Sequence, residues 1–134
     1  MLRILIVDDE PVIADSLAYA LGDFGYDATA VYNGQEALKS AAVLNPDVII
    51  SDVVMPGMNG IEAGIQIRRM QPSCRIILLS GQAATCDLAR DAKVRGHHFE
   101  IVTKPVHPRA MLAYLTRSVS ASDEDLDREL GLKR

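Results

Sequence analysis

Five strand-length apolar runs recur along the chain: "RILIV" (3 to 7), "DATAV" (27 to 31), "DVIIS" (47 to 51), "RIILLS" (75 to 80) and "FEIVT" (99 to 103). The gaps between them carry a helical period instead. Ile13, Leu17, Ala20, Leu21 and Phe24 mark the first gap, Ala37, Leu38, Ala41 and Leu44 the second, and Ile61 and Ile65 the third. The fourth, 84 to 95, has only Ala84, Leu88, Ala89 and Ala92 for its inner face and is the weakest helix in packing terms. A fifth helix, 108 to 119, shows Met111, Leu112, Leu115 and Val119 after the last strand. Pro11 suits the first turn of the first helix. Strict alternation of strand and helix means parallel strands whose crossovers lie on both faces. The fold class is therefore α/β, a doubly wound five-stranded parallel sheet.

A chain of 134 residues fits one domain with a real core. With 49% hydrophobic and 24% charged residues, a disordered or fibrous chain is excluded. A net charge of -4 with scattered Lys and Arg argues against direct nucleic-acid binding, which needs clustered cations to release counterions. Apolar stretches such as "ILIV" and "IILL" are far short of the roughly 18 residues that span a bilayer, so no membrane segment is expected. The N-terminus, with one Arg and a short apolar run ending in two aspartates, does not read as a signal peptide. A cytoplasmic location is expected, with Cys74 and Cys86 as reduced thiols. After about residue 119 the composition turns polar in "SASDEDLDRELGLKR". The expected organisation is a domain over 1 to 119 and a charged C-terminal tail or linker helix over 120 to 134.

In open parallel sheets, ligands bind outside the carboxyl ends of the strands, so the polar residues that end strands are the ones to weigh. Strand one ends in Asp8 and Asp9, strand three in Asp52, strand four in Ser80 and strand five in Lys104 followed by Pro105. Three carboxylates gathered at one edge repel by about 4 kcal/mol per pair at about 4 Å and an effective dielectric near 20. They need a cation. Oxygen ligands without His or Cys favour a hard divalent ion, and Mg²⁺ keeps room for waters and a phosphate oxygen. Lys104 supplies compensating positive charge and the Ser80 hydroxyl a hydrogen bond to the same anion. Asp52 then has the surroundings of a nucleophile that accepts a phosphoryl group.

The pieces "ILIVDDEP" (4 to 11), "SDVVMPGMNG" (51 to 60), "LLSGQA" (78 to 83) and "VTKPV" (102 to 106) resemble, in order and spacing, the receiver domain of two-component response regulators. The resemblance covers about residues 2 to 119. It implies a flavodoxin-like sheet of strand order 2-1-3-4-5 and a partner, a sensor histidine kinase or phosphotransfer protein, that donates its phosphoryl group. It also implies roles: Asp52 as phosphoacceptor, Asp8 and Asp9 as the acidic pair that places Mg²⁺, Val54 as lender of a backbone carbonyl to it, Ser80 as switch hydroxyl and Lys104 as the family's lysine. The Lys104 to Pro105 peptide is expected to be cis. The resemblance further allows a homodimer through the fourth helix, fifth strand and fifth helix.

One position departs from the pattern. Receivers often carry Tyr or Phe three residues before the lysine, and here that residue is Ile101, with Phe99 on the same strand face two residues earlier. The output change is therefore expected to run through the loop after Ser80 and the weak fourth helix. Val54 and Gln82 occupy the two positions that, in the family, tune dephosphorylation. Val54 cannot hold a water, so a long-lived phosphoaspartate is expected.

Plainer readings stand beside these. Asp8 and Asp9 alone would serve as helix caps. Ser80 alone would be a loop serine and Lys104 a solvated lysine. Adjacent His97 and His98 face opposite ways on a strand and do not make a metal pair. Met55 and Met58 are expected to pack over the sheet edge. The expected function is a phosphorylation-dependent signalling switch, not an enzyme acting on other substrates. The alternative is a Mg²⁺-dependent phosphohydrolase with an aspartate nucleophile, which usually needs a cap or substrate loop that no insertion here supplies.

Overall fold

The β-branched and leucine-rich runs pair into one parallel sheet in the computed structural model, which describes residues 2–81, 90, 93, 96, 97 and 99–116. Its strands are β1 (Arg3–Val7), β2 (Asp27–Val31), β3 (Val48–Asp52), β4 (Arg75–Ser80) and β5 (Glu100–Thr103). Their order is β2-β1-β3-β4-β5, as expected, and every pairing is parallel. The described helices are α1 (Pro11–Asp23), α2 (Gly34–Leu44), α3 (Gly60–Met70) and α4 (Pro108–Leu115). The helix expected over 84 to 95 lies outside the described residues except at Arg90 and Lys93, as does the tail.

Because strand residues alternate, one strand feeds two cores. Leu5, Val7, Ile49, Ile76 and Leu78 pack with Ala37 and Ala41 of α2 and Ile61 and Ile67 of α3. Ile4, Ile6, Ile50, Ile77 and Leu79 pack on the other face with Ala14, Leu17 and Leu21 of α1 and Met111 and Tyr114 of α4. The inner face of α1 thus runs through Ala14 rather than Ile13, which is 39% exposed, and Phe24 lies beyond the helix at 49%.

Local chemistry fixes where the helices begin. Pro11 occupies the first turn of α1. Asn33 accepts the Glu36 amide at 2.8 Å to open α2, and Asn59 accepts the Glu62 amide at 2.9 Å to open α3. Each Glu also stands in the first turn, where the helix dipole favours a negative charge.

Candidate functional site

Parallel pairing aligns the ends of β1, β3, β4 and β5, so the residues that follow them meet at one edge. Asp52 is the last residue of β3, opposite Leu79 of β4, and Ser80 pairs with Thr103, the residue before Lys104. Carboxylate oxygens of Asp8, Asp9 and Asp52 all lie within 4.8 Å of one another. Lys104 Nζ stands 3.2 Å from Asp52 Oδ2 and 3.4 Å from Asp8 Oδ2. Asp8 is 2% exposed, a depth at which a carboxylate needs partners. It has them: Lys104 on one oxygen and the Glu10 amide, at 3.0 Å, on the other. The N-cap of α1 is Glu10, so neither aspartate is the capping residue.

The electrostatics follow from one lysine serving an acidic cluster. Burial pushes the Asp52 carboxyl above its usual range; Lys104 pulls it down, but the charges of Asp8 and Asp9 add to the rise. Lys104 is also held above its ordinary value. Burial opposes its charge, and the hydrogen bonds and charges of Asp52 and Asp8 outweigh that cost. The Lys104 shift thus reflects its acidic neighbours, whereas the Asp52 shift is set first by burial. The oxygen-only donor set and close spacing fit a hard divalent cation.

Other expected residues fall around this centre. Ser80 is buried at the end of β4, and Gly81 leaves space against which the Lys104 stem packs, 3.6 Å from where a Cβ would stand. Val54, two residues after Asp52, is 49% exposed. Met55 is 6% exposed in the core, and Met58 packs on Gly34 of α2, its Cβ 2.9 Å from the position of a Cβ there. The Lys104–Pro105 peptide is cis. Ile101 and Phe99 pack on the same core face. Phe99 is pinned under α3: its Cε1 is 3.0 Å from the place of a Gly64 Cβ, and the Arg68 guanidinium stands 4.7 Å from its ring centroid. Gln82, His98 and Cys86 lie outside the described residues.

Two residues under the site escape sequence reasoning. Ser51, 3% exposed, donates its hydroxyl to the Asp52 carbonyl oxygen at 2.9 Å. Gly60 sits so close that a Cβ would lie 2.2 Å from that same oxygen. The one signal in the sequence is the polar Ser51 inside the apolar run, next to the candidate nucleophile.

Fold and site define a doubly wound, flavodoxin-like domain with an acidic centre at its switch-point edge. The chain belongs to the response regulator receiver family: the family model of the response regulator receiver domain matches residues 4–116. Vibrio cholerae chemotaxis protein CheY4 superposes with a TM-score of 0.77 and 32% identity over 87% of this chain and 98% of that one. The Thermotoga maritima response regulator TrrA, solved in complex with Mg²⁺-BeF, gives 0.73 and 35% over 86% and 96%. The Bacillus subtilis alkaline phosphatase synthesis transcriptional regulatory protein PhoP is 35% identical over 83% of this chain and 45% of its own length. The DNA-binding response regulator MtrA of Mycolicibacterium smegmatis is 28% identical over 92% and 53%. The chain spans about half the length of these curated relatives. No described helix is long and apolar enough to cross a membrane.

Proposed function

We propose that this receiver is a phosphorylation-dependent switch in which Asp52 accepts a phosphoryl group from the phosphohistidine of a sensor kinase or phosphotransfer protein. The observation that carries this reading is the convergence of Asp8, Asp9 and Asp52 around one ammonium, Lys104. In the proposed step an Asp52 carboxylate oxygen bonds to phosphorus as the phosphorus–nitrogen bond to the donor imidazole breaks, and that imidazole nitrogen keeps the electron pair and takes up a proton. Lys104, already 3.2 Å from Asp52 Oδ2, moves from pairing the carboxylate to pairing the phosphoryl oxygens. The Ser80 hydroxyl donates to a phosphoryl oxygen. Asp8, Asp9, Asp52 and the Val54 carbonyl are the groups that would hold Mg²⁺. Bound there, Mg²⁺ would neutralise the carboxylates and offset negative charge on the transferred group.

The catalysis needed is confined to the chain's own phosphoryl transfer and dephosphorylation. A cytoplasmic location and a domain over 1 to 119 followed by a linker or tail are part of the same reading.

The test is incubation with acetyl phosphate and Mg²⁺ followed by intact mass. One phosphoryl adduct, absent from Asp52→Asn and from samples with excess EDTA, is expected. Sustained release of phosphate from many monoesters without an adduct would instead favour the phosphohydrolase.

A further inference from the structure

Among the described residues, Ser51 is the buried polar residue that the phosphorylation chemistry leaves unassigned. It faces α3, opposite to the Asp52 side chain, on the strand face that also carries Ile49 and Val53. A serine there gives up apolar burial, and its 3% exposure removes water as a compensation. The hydroxyl instead donates to the carbonyl oxygen of Asp52 at 2.9 Å.

The neighbouring backbone shows what that bond completes. The next amide, Val53 N–H, donates to Leu79 O of β4 at 3.2 Å. The next carbonyl, Val53 O, accepts the Gly60 amide at 2.8 Å. The Asp52–Val53 peptide is thus held at its oxygen by Ser51 and at its nitrogen by Leu79, and the following peptide is held at its oxygen by Gly60. These planes connect the Asp52 side chain to Val54, so they set the spacing of the carboxylate and the Val54 carbonyl. Of the three bonds, the one from Ser51 is made by a side chain. Gly60 closes the knot from above, since a Cβ there would stand 3.0 Å from Ser51 Oγ and 2.2 Å from Asp52 O.

We infer that Ser51 is a positioning residue that fixes the Asp52–Val53 peptide and so registers the phosphoacceptor with the metal-holding groups. The inference rests on the function proposed above. Loss of one hydrogen bond of this kind corresponds to about fivefold in an equilibrium or rate.

The experiment compares wild type, Ser51→Ala, Ser51→Thr and Ile49→Val, the last a core truncation on the same strand face that leaves the hydroxyl in place. Three quantities are read: melting temperature, Mg²⁺ affinity of the unphosphorylated protein by calorimetry, and the acetyl phosphate phosphorylation rate at saturating Mg²⁺. Ser51→Ala is expected to weaken Mg²⁺ binding and slow phosphorylation by about fivefold. Its Gly60 amide is expected to exchange faster with solvent. Ile49→Val is expected to lower the melting temperature with both functional readings unchanged, and Ser51→Thr to restore part of both. Unchanged Mg²⁺ affinity and rate in Ser51→Ala would overturn the inference. So would equal functional losses in Ile49→Val, which would mark a stability effect. A wild type that binds Mg²⁺ but takes no phosphoryl group would overturn the proposed function, while the affinity and exchange readings would still decide the clamp.

Discussion

Lys104 Nζ lies 3.2 Å from Asp52 Oδ2, so the proposed phosphoacceptor carries a countercharge in the unphosphorylated protein. The same ammonium is 3.4 Å from Asp8. One cation is thereby divided between Asp8 and the carboxylate proposed to react, and the charge balance has two readable parts. Replacing Lys104 with Met keeps much of the stem and removes the charge. Mg²⁺ then meets the carboxylates without a competing cation, so its affinity is expected to rise. Phosphorylation at saturating Mg²⁺ is expected to fall by about tenfold or more, because a charge-assisted hydrogen bond to the transferred group is lost. Calorimetry and intact mass read the two effects separately. A parallel fall in both would show that Lys104 only holds the fold.

The raised Asp52 carboxyl gives a pH-dependent stability with a definite sign. Burial is the largest cause, and the folded protein keeps the Asp52 proton to a higher pH than the unfolded chain does. Its contribution is therefore fully present below the unfolded carboxylate range and is lost as pH rises through the folded value. Without metal, Asp52→Asn is expected to melt above wild type at neutral pH, with the gap closing on acidification through the carboxylate range. Adding Mg²⁺ is expected to raise wild type more than the variant. A metal-free Asp52→Asn that melts below wild type at neutral pH would contradict this account.

Val54, two residues after Asp52, is half-exposed, and its side chain has no polar atom with which to hold an attacking water. The phosphorylated protein is expected to decay slowly, and Val54→Asn to shorten its lifetime several-fold with little change in the rate of phosphorylation. Decay of the phosphoryl adduct is followed by intact mass after removal of acetyl phosphate. Equal lifetimes would count against a role for this side chain.

The strands are legible because a doubly wound sheet writes buried parallel strands as near-continuous apolar runs, and β1, β2 and β4 fall on those runs residue for residue. β3 is shifted by one, starting at Val48 and closing on Asp52 itself. The acidic cluster and Lys104 are legible because their positions after strands already imply convergence. Ser51 and Gly60 are not. Their roles depend on where α3 crosses the end of β3, a packing distance that periodicity does not encode. Ile13 misleads for a related reason: α1 presents Ala14 inward, and an alanine carries too weak an apolar signal to outvote an isoleucine.

Cys74 offers a check on the core away from the site. It is 5% exposed, and burial pushes its thiol up to about 11, with Asp47 adding to the rise and Arg68 opposing it. At neutral pH on the order of one thiol in ten thousand is then ionised. In a Cys86→Ser background, iodoacetamide is expected to leave the native protein unmodified over a time that fully labels it in urea. Rapid native labelling would mean that the start of β4 opens readily.

Gly22 and Gly60 are both helical glycines, so Gly→Ala at each tests the contact separately from helix propensity. Gly22 in α1 has nothing within 4 Å of the point where a Cβ would stand, and alanine there is expected to stabilise by about 0.5–1 kcal/mol through reduced chain entropy. At Gly60 the same methyl meets the Asp52 carbonyl oxygen at 2.2 Å, and that atom is backbone that must shift. Overpacking of this kind costs about 1–3 kcal/mol, so Gly60→Ala is expected to destabilise. The shift falls on the peptide of Asp52, the proposed phosphoacceptor, so phosphorylation by acetyl phosphate is expected to fall more steeply than stability alone explains. Urea denaturation gives both signs, and phosphorylation measured well below the unfolding transition gives the functional loss. A stabilised Gly60→Ala with wild-type phosphorylation would mean that α3 can lift from β3 without moving Asp52.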